Sequence, residues 1–125
     1  MAHSRPRTHV RRTALVAGAL MALAVSTAPA TAQPTVAAAP SDCPHGYFCG
    51  YKRANFQGLG FRFKDCYMQE IPSGMGSGGS WYNNQTEGTM AVLYNKAKEP
   101  IFVTDGAPSQ DAHGSWAPVW YVDAC

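Results

Sequence analysis

Residues 43–58 read C-P-H-G-Y-F-C-G-Y-K-R-A-N-F-Q-G, with two cysteines and several aromatic residues ahead of a short polar turn. The segment 47–51 predicts a β-strand, and Ala54-Asn55 predicts the turn that follows it. Directly downstream, residues 61–64 alternate phenylalanine with a basic residue, which is the pattern of a half-exposed strand. The segment therefore predicts a β-hairpin near the start of the folded region.

The rest of the sequence alternates strand signals with turn signals. Further strands are predicted at 89–94, 101–104 and 119–123, and turns or loops rich in glycine or polar residues at 72–80, 105–106 and 107–114. No window of a dozen residues downstream of the first 40 keeps a helical period without meeting glycine or proline. We therefore predict an all-β sandwich or barrel.

The first 32 residues have the composition of a secretory signal. A basic stretch ending at Arg11-Arg12 runs into an apolar block at 14–25, which fits a signal peptide and is shorter than the roughly 20 residues that span a membrane. Ala30-Thr31-Ala32 is the better of two A-x-A cleavage patterns and places the mature start near Gln33. We expect a signal peptide at 1–32, a flexible Ala/Pro linker at 33–41, one domain at 42–125, and secretion without a membrane span.

Removal of that signal reverses the net charge. The whole chain has ten Lys and Arg against eight Asp and Glu, a formal +2, whereas six basic residues and the same eight acidic ones follow Gln33, about −2. This balance disfavours nucleic-acid binding, which generally needs a basic patch. No G-x-S-x-G, H-E-x-x-H or paired-carboxylate pattern occurs, so neither an enzyme nor a cofactor is predicted. Residues 84–86 match a glycosylation sequon.

All four cysteines follow the predicted signal peptide: Cys43, Cys49, Cys66 and Cys125. An even number of cysteines in an exported chain predicts two disulfides, and three pairings are open. The spacing of the first two is wider than the C-x₂₋₄-C of zinc sites, so a zinc centre is disfavoured.

A short internal repeat divides the domain. The tripeptide Gly-Ser-Trp at 79–81 recurs thirty-five residues later at 114–116. Each copy has a tyrosine upstream at the end of a predicted strand, Tyr51 or Tyr94. The recurrence indicates two related halves, the alternative being chance in a chain rich in glycine and serine.

The segment from Tyr51 to Gly58, Y-K-R-A-N-F-Q-G, resembles the Y-x-x-x-x-F-x-G signature of βγ-crystallin Greek keys, and Ser80 falls where that motif places its later serine. The opening at 43–49, C-P-H-G-Y-F-C, is similar to that of secreted bacterial proteins in peptidase inhibitor family I36, which has a βγ-crystallin-like fold. Downstream of Tyr94 no F-x-G follows at the matching distance, so the second Greek key is degenerate.

The resemblance implies a βγ-crystallin-like Greek-key sandwich stabilised by two disulfides. The short cysteine spacing closes as a disulfide in the family, which implies Cys43–Cys49 and leaves Cys66 to pair with Cys125. Structural roles are implied for the residues at motif positions: Tyr51, Phe56, Gly58, Ser80, Trp81, Ser115 and Trp116.

Two functions are implied by the resemblance. The first is inhibition of an extracellular protease by a monomer, and the inhibitor that typifies the family acts on a metalloprotease. The inhibitory loop is not identified from the sequence, and the candidate surfaces are 72–80 and 105–114. The alternative is a structural or surface-binding module with weak or no calcium binding, for which Asp111 and Ser115 are the candidate ligands.

Overall fold

The computed structural model describes residues 18–19, 22–29 and 37–125. The chain divides into two compact units, Met1–Ala32 and Gln33–Cys125. The described residues of the first unit have no regular secondary structure, and most of the predicted signal peptide lies outside the described residues. Among the residues described, no helix is long and apolar enough to cross a membrane.

Residues 37–125 form β-strands and no helix. The eight strands in chain order are β1 (Tyr47–Arg53), β2 (Gln57–Phe63), β3 (Gln69–Glu70), β4 (Gly79–Asn84), β5 (Val92–Tyr94), β6 (Pro100–Val103), β7 (Ser109–Gly114) and β8 (Tyr121–Asp123). The predicted all-β class is confirmed.

The strands form two four-stranded antiparallel sheets that exchange one strand. The first sheet has the order β2-β1-β4-β7 and the second β3-β8-β5-β6. Each sheet takes three strands from one half of the domain and its fourth from the other half. This exchange agrees with the two halves indicated by the Gly-Ser-Trp repeat, and the assignment of the halves as Greek keys stays a prediction.

The turn between β1 and β2 is fastened to β4 by one hydroxyl group. Ser80, which is fully buried, donates a hydrogen bond to the Arg53 carbonyl at 2.7 Å and accepts one from the Phe56 N–H at 2.9 Å. Phe56 takes a left-handed φ of 58° and Gly58 one of 69°, so the chain folds back sharply over β4. Two backbone groups of a tight turn are thereby satisfied by a side chain from another strand.

The two Gly-Ser-Trp copies lie side by side in the structure. Gly79 of β4 is paired with Gly114 of β7. Trp116 is buried, and its indole N–H donates to the Tyr51 carbonyl at 2.9 Å. A Cβ at position 79 would overlap the Trp116 ring, so glycine is required there for packing.

Apolar side chains pack on both faces of the first sheet. Between the two sheets lie the largest core members, Phe48, Phe61, Trp81, Leu93, Trp116, Val119 and Val122. The opposite face of the first sheet carries a second cluster made of Cys43, Cys49, Tyr51 and Tyr82, with Ala39, Tyr47, Phe56 and Leu59 against it. The alternation of side chains along β1 and β4 supplies both clusters.

The segment expected to be a flexible linker is partly attached to this second cluster. The Tyr82 hydroxyl donates to the Ala37 carbonyl at 2.6 Å, and the Cys43 N–H donates to the Pro40 carbonyl at 2.9 Å. Within the described residues, these contacts reach Ala37, five residues ahead of the predicted domain start, and residues 33–36 of the predicted linker lie outside the described residues.

Two loop predictions were wrong. Residues 107–114 were expected to be a loop, but Ser109–Gly114 is strand β7, and the end of the predicted loop 72–80 belongs to β4. Both strands are rich in polar or small residues, and their backbone groups are satisfied by pairing with each other. Strand formation here is decided by tertiary pairing rather than by local preference.

Both disulfides have the expected partners. Cys43 is joined to Cys49 and Cys66 to Cys125, with separations of 6 and 59 residues. The first pair is buried in the second cluster, and the second pair is exposed. The longer bridge connects the segment between β2 and β3 to Cys125, two residues after the end of β8.

Removal of the long bridge should destabilise the domain through chain entropy, because its exposed sulfurs contribute little packing. For Cys66→Ala with Cys125→Ala we expect the free energy of unfolding to fall by about 4 kcal/mol in urea titrations. Amide protection should be lost first in β3 and β8. The matched control, Cys43→Ala with Cys49→Ala, should lose protection at the start of β1 instead, and the same pattern in both variants would contradict this architecture.

Tyr51 should make the fold sensitive to alkaline pH. Burial, together with the hydrogen bond to Asp42 at 2.8 Å, raises the pKa of the Tyr51 hydroxyl. Above the ordinary tyrosine pKa of about 10, the unfolded chain ionises while the folded chain keeps the proton, so the free energy of unfolding falls as pH rises. Tyr51→Phe should flatten this decline above about pH 10, and an unchanged slope in urea titrations would refute the assignment.

Candidate functional site

The first candidate surface, 72–80, is attached to the core through Met75 and is otherwise exposed as far as Gly78. Met75 packs against the core between the two sheets, and the backbone N–H of Trp116 donates to the Gly76 carbonyl at 3.0 Å. Gly74 and Gly78 take left-handed φ values of 89° and 77°. The segment thus stays exposed on both sides of Met75, at 72–74 and 76–78, and its glycines allow it more backbone freedom than most residues have.

The second candidate surface begins in a loop that is bonded to another loop. Residues 104–108 connect β6 to β7, and residues 85–91 connect β4 to β5; we call them the paired loops. The Gly88 N–H donates to the Ala107 carbonyl at 2.9 Å, and the Ala107 N–H donates to the Thr89 carbonyl at 2.8 Å. A Cβ at Gly106 would lie 2.9 Å from the Gly88 Cα, so the two backbones are in contact.

A buried network of polar side chains is hydrogen-bonded to the backbone of the paired loops. The Asn83 side chain is fully buried, and its Nδ2 donates to the Thr89 carbonyl at 2.8 Å. The Thr104 hydroxyl accepts from the Ala91 N–H at 2.9 Å, and the Thr104 N–H donates to the Ala91 carbonyl at 2.9 Å. The Asn83 Oδ1 accepts the Gln85 side-chain amide at 3.1 Å. The backbone of both loops is therefore fixed by side chains that water does not reach.

Met90 stands out from this fixed backbone. It lies between Thr89 and Ala91, whose backbone groups are bonded to Asn83 and Thr104, yet its own side chain is 53% exposed. Glu87 and Asp105 are exposed on the same two loops. The arrangement displays an apolar side chain on a backbone that is held by buried hydrogen bonds, and the same two loops carry exposed acidic groups.

In the described ranges, no group of three or more His, Cys, Asp or Glu residues is placed to hold a metal ion. The calcium candidates Asp111 and Ser115 do line one groove together, but the Asp111 Oδ1 already accepts the His113 N–H at 2.9 Å. The walls of this groove are mostly apolar.

Several of the residues implied to be structural lie in packing positions, but Ser115 is exposed and its hydroxyl accepts the Ala117 N–H at 3.4 Å. Ser80 fastens the first turn, and Trp81 and Trp116 are buried in the core. The Phe56 ring makes edge contacts with Tyr51 and Tyr82, at centroid distances of 5.7 and 5.9 Å. Sequence reasoning missed Asn83 and Met90, since neither belongs to a motif and the burial of Asn83 depends on the distant Thr104.

Comparison with known proteins gives one match. A family model described as Peptidase inhibitor family I36 matches residues 36–99, just over half of the 125 residues. The match covers β1 to β5, both cysteines of the short disulfide and, of the paired loops, the one at 85–91. No curated protein and no solved structure matches.

Asn83→Ala should loosen the paired loops. Because it removes the buried donor to the Thr89 carbonyl, we expect the free energy of unfolding to fall by about 1–3 kcal/mol. Hydrogen exchange should show faster exchange at the Gly88 and Ala107 amides. Asn95→Ala, which removes a half-buried side chain whose hydrogen bonds go to Glu99 in the β5–β6 turn, serves as the control, and unchanged exchange at both amides in Asn83→Ala would refute the bracing role.

Proposed function

Because the chain belongs to peptidase inhibitor family I36, we propose that it inhibits an extracellular peptidase by presenting the paired loops to the enzyme. The chain acts as an inhibitor in this proposal, and the peptidase is its only partner. A zinc peptidase is the first class to test, since the inhibitor that typifies the family acts on one.

The observation that carries the proposal is the fixed backbone on both sides of Met90. A loop that is ordered before binding loses little conformational entropy on docking, which strengthens association with a peptidase cleft. Here the order comes from Asn83 and Thr104, with no disulfide inside either loop. The buried network replaces the local disulfide that would otherwise brace an inhibitory loop.

Met90 supplies the apolar contact in this proposal. Exposed large side chains that enter a partner's pocket contribute most of the binding energy of many protein interfaces. Methionine suits an apolar pocket because its unbranched, polarisable side chain adapts to irregular shapes. The acidic residues Glu87 and Asp105 then lie at the rim, where they influence the rate of association more than affinity.

An extracellular location is part of the same proposal. All four cysteines are in disulfides, and disulfides persist in oxidising compartments outside the cytosol. The predicted signal peptide at 1–32 supports export. Both features agree with a partner among secreted peptidases.

The test is inhibition of a panel of zinc, serine and cysteine peptidases by the oxidised protein. We expect one class to lose activity, and Met90→Asp to raise the inhibition constant at least about tenfold, because a carboxylate would have to enter an apolar pocket. Met90→Leu should retain inhibition. Thermal unfolding of each variant checks that the fold is intact.

Tyr67→Ala is the matched control, because Tyr67 is 58% exposed on the segment beside the long disulfide and far in sequence from the paired loops. It should leave inhibition unchanged. Loss of inhibition in Tyr67→Ala but not in Met90→Asp would move the contact surface to that segment. Absence of inhibition across the panel would refute the function itself.

A further inference from the structure

A groove of about 350 Å³ lies at the open edge between the two sheets. Its walls include residues of β6 and β7, and each of these is the edge strand of its sheet, so no further strand closes the sandwich there. Trp81 and Val119, both buried core residues, form the inner wall. The groove thus leads from solvent to the main hydrophobic core.

The apolar wall of this groove is exposed to solvent. Phe102 is 47% and Ile101 42% exposed, although the Phe102 ring lies 6.1 Å from the Trp81 ring. The partner of Phe102 across the strands, Leu93, is almost fully buried in the core. An apolar group placed against Phe102 would remove this surface from water, which favours binding.

The groove is lined by one acidic residue, Asp111. Asp111 lies on the β7 wall, half-buried, and its Oδ1 is occupied by the His113 N–H. Its Oδ2 lies beside Gly114, 3.4 Å from the position that a Cβ would take, on a side chain that lines the groove. The Ser115 hydroxyl is a second oxygen in the same groove.

This combination selects an organic cation over a metal ion. Calcium needs six to eight oxygen ligands, and one free carboxylate oxygen with one hydroxyl on apolar walls falls well short of that number. An ammonium group needs a single negative partner, and it is also attracted to the faces of tryptophan and phenylalanine rings. Trp81, Phe102 and Asp111 provide both kinds of attraction within one groove.

We propose that the groove between β6 and β7 binds a small organic ammonium ion that carries an aromatic or branched aliphatic group. The ammonium group pairs with the Asp111 Oδ2, and the apolar group packs against Phe102 and Trp81. The site is independent of the paired loops and of peptidase inhibition.

The experiment compares three probes of one shape with the oxidised protein: 2-phenylethylammonium, its neutral analogue 2-phenylethanol, and the anion 3-phenylpropionate. Binding is measured by calorimetry, and the position by NMR shifts of the Trp81 indole. We expect the ammonium probe to bind at least about tenfold more tightly than the alcohol, and the anion to bind most weakly. Equal binding of the three, or binding of none at millimolar concentration, would overturn the proposal.

Two variants separate charge from shape. Asp111→Asn can still accept the His113 N–H, and it should remove the preference for the ammonium probe while leaving the alcohol unaffected. Phe102→Ala should weaken the ammonium probe and the alcohol alike. Asp105→Asn, an exposed carboxylate on the paired loops, should change neither. An ammonium preference that survives Asp111→Asn would refute the assigned role of Asp111, and calcium that displaces the ammonium probe would refute the selection of an organic cation over a metal ion.

Discussion

The hydrogen bond from the Trp116 indole to the Tyr51 carbonyl joins the two halves of the domain at the centre of the core. The ring packs edge-on against Phe61 at 5.2 Å and lies over Gly79, where any side chain would overlap it. An indole of this size that is almost fully buried needs both a partner for its N–H and a gap in the facing strand. Glycine at position 79 provides the gap, and the end of β1 provides the acceptor.

The position of Trp116 has a consequence at the opposite end of the sandwich. It follows β7, so its burial holds β7 next to β4, in a register that runs from Gly79 opposite Gly114 to Asn83 opposite Ser109. The chain entering β7 therefore passes beside the chain leaving β4, and the connections 104–108 and 85–91 meet. The paired loops are thus a product of strand exchange between the halves. A sheet built from consecutive strands alone would not bring these two loops together.

The sequence predicted the parts of this fold that depend on local pattern. The all-β class followed from alternation and turn residues, and the cysteine pairing followed from the resemblance of the opening at 43–49. Strand β7 was missed because its residues, S-Q-D-A-H-G, carry no apolar alternation and are ordered by pairing with β4. Asn83 lies next to a glycosylation sequon and has the composition of a surface position, yet it is fully buried. Its role depends on Thr104, twenty-one residues away, and no local signal reports such a contact.

A polar network under the paired loops is required by the backbone above it. The Thr89 carbonyl and the Ala91 N–H turn toward the interior, and an apolar residue at position 83 or 104 would leave one of these groups without a partner, at a cost of about 1–3 kcal/mol. Asparagine and threonine satisfy these groups from fixed positions on β4 and after β6. A buried network of this kind adds little net stability compared with apolar packing, but it permits only one loop geometry. That restriction suits an inhibitor, because a loop with few alternative conformations loses less conformational entropy when it binds in a peptidase cleft.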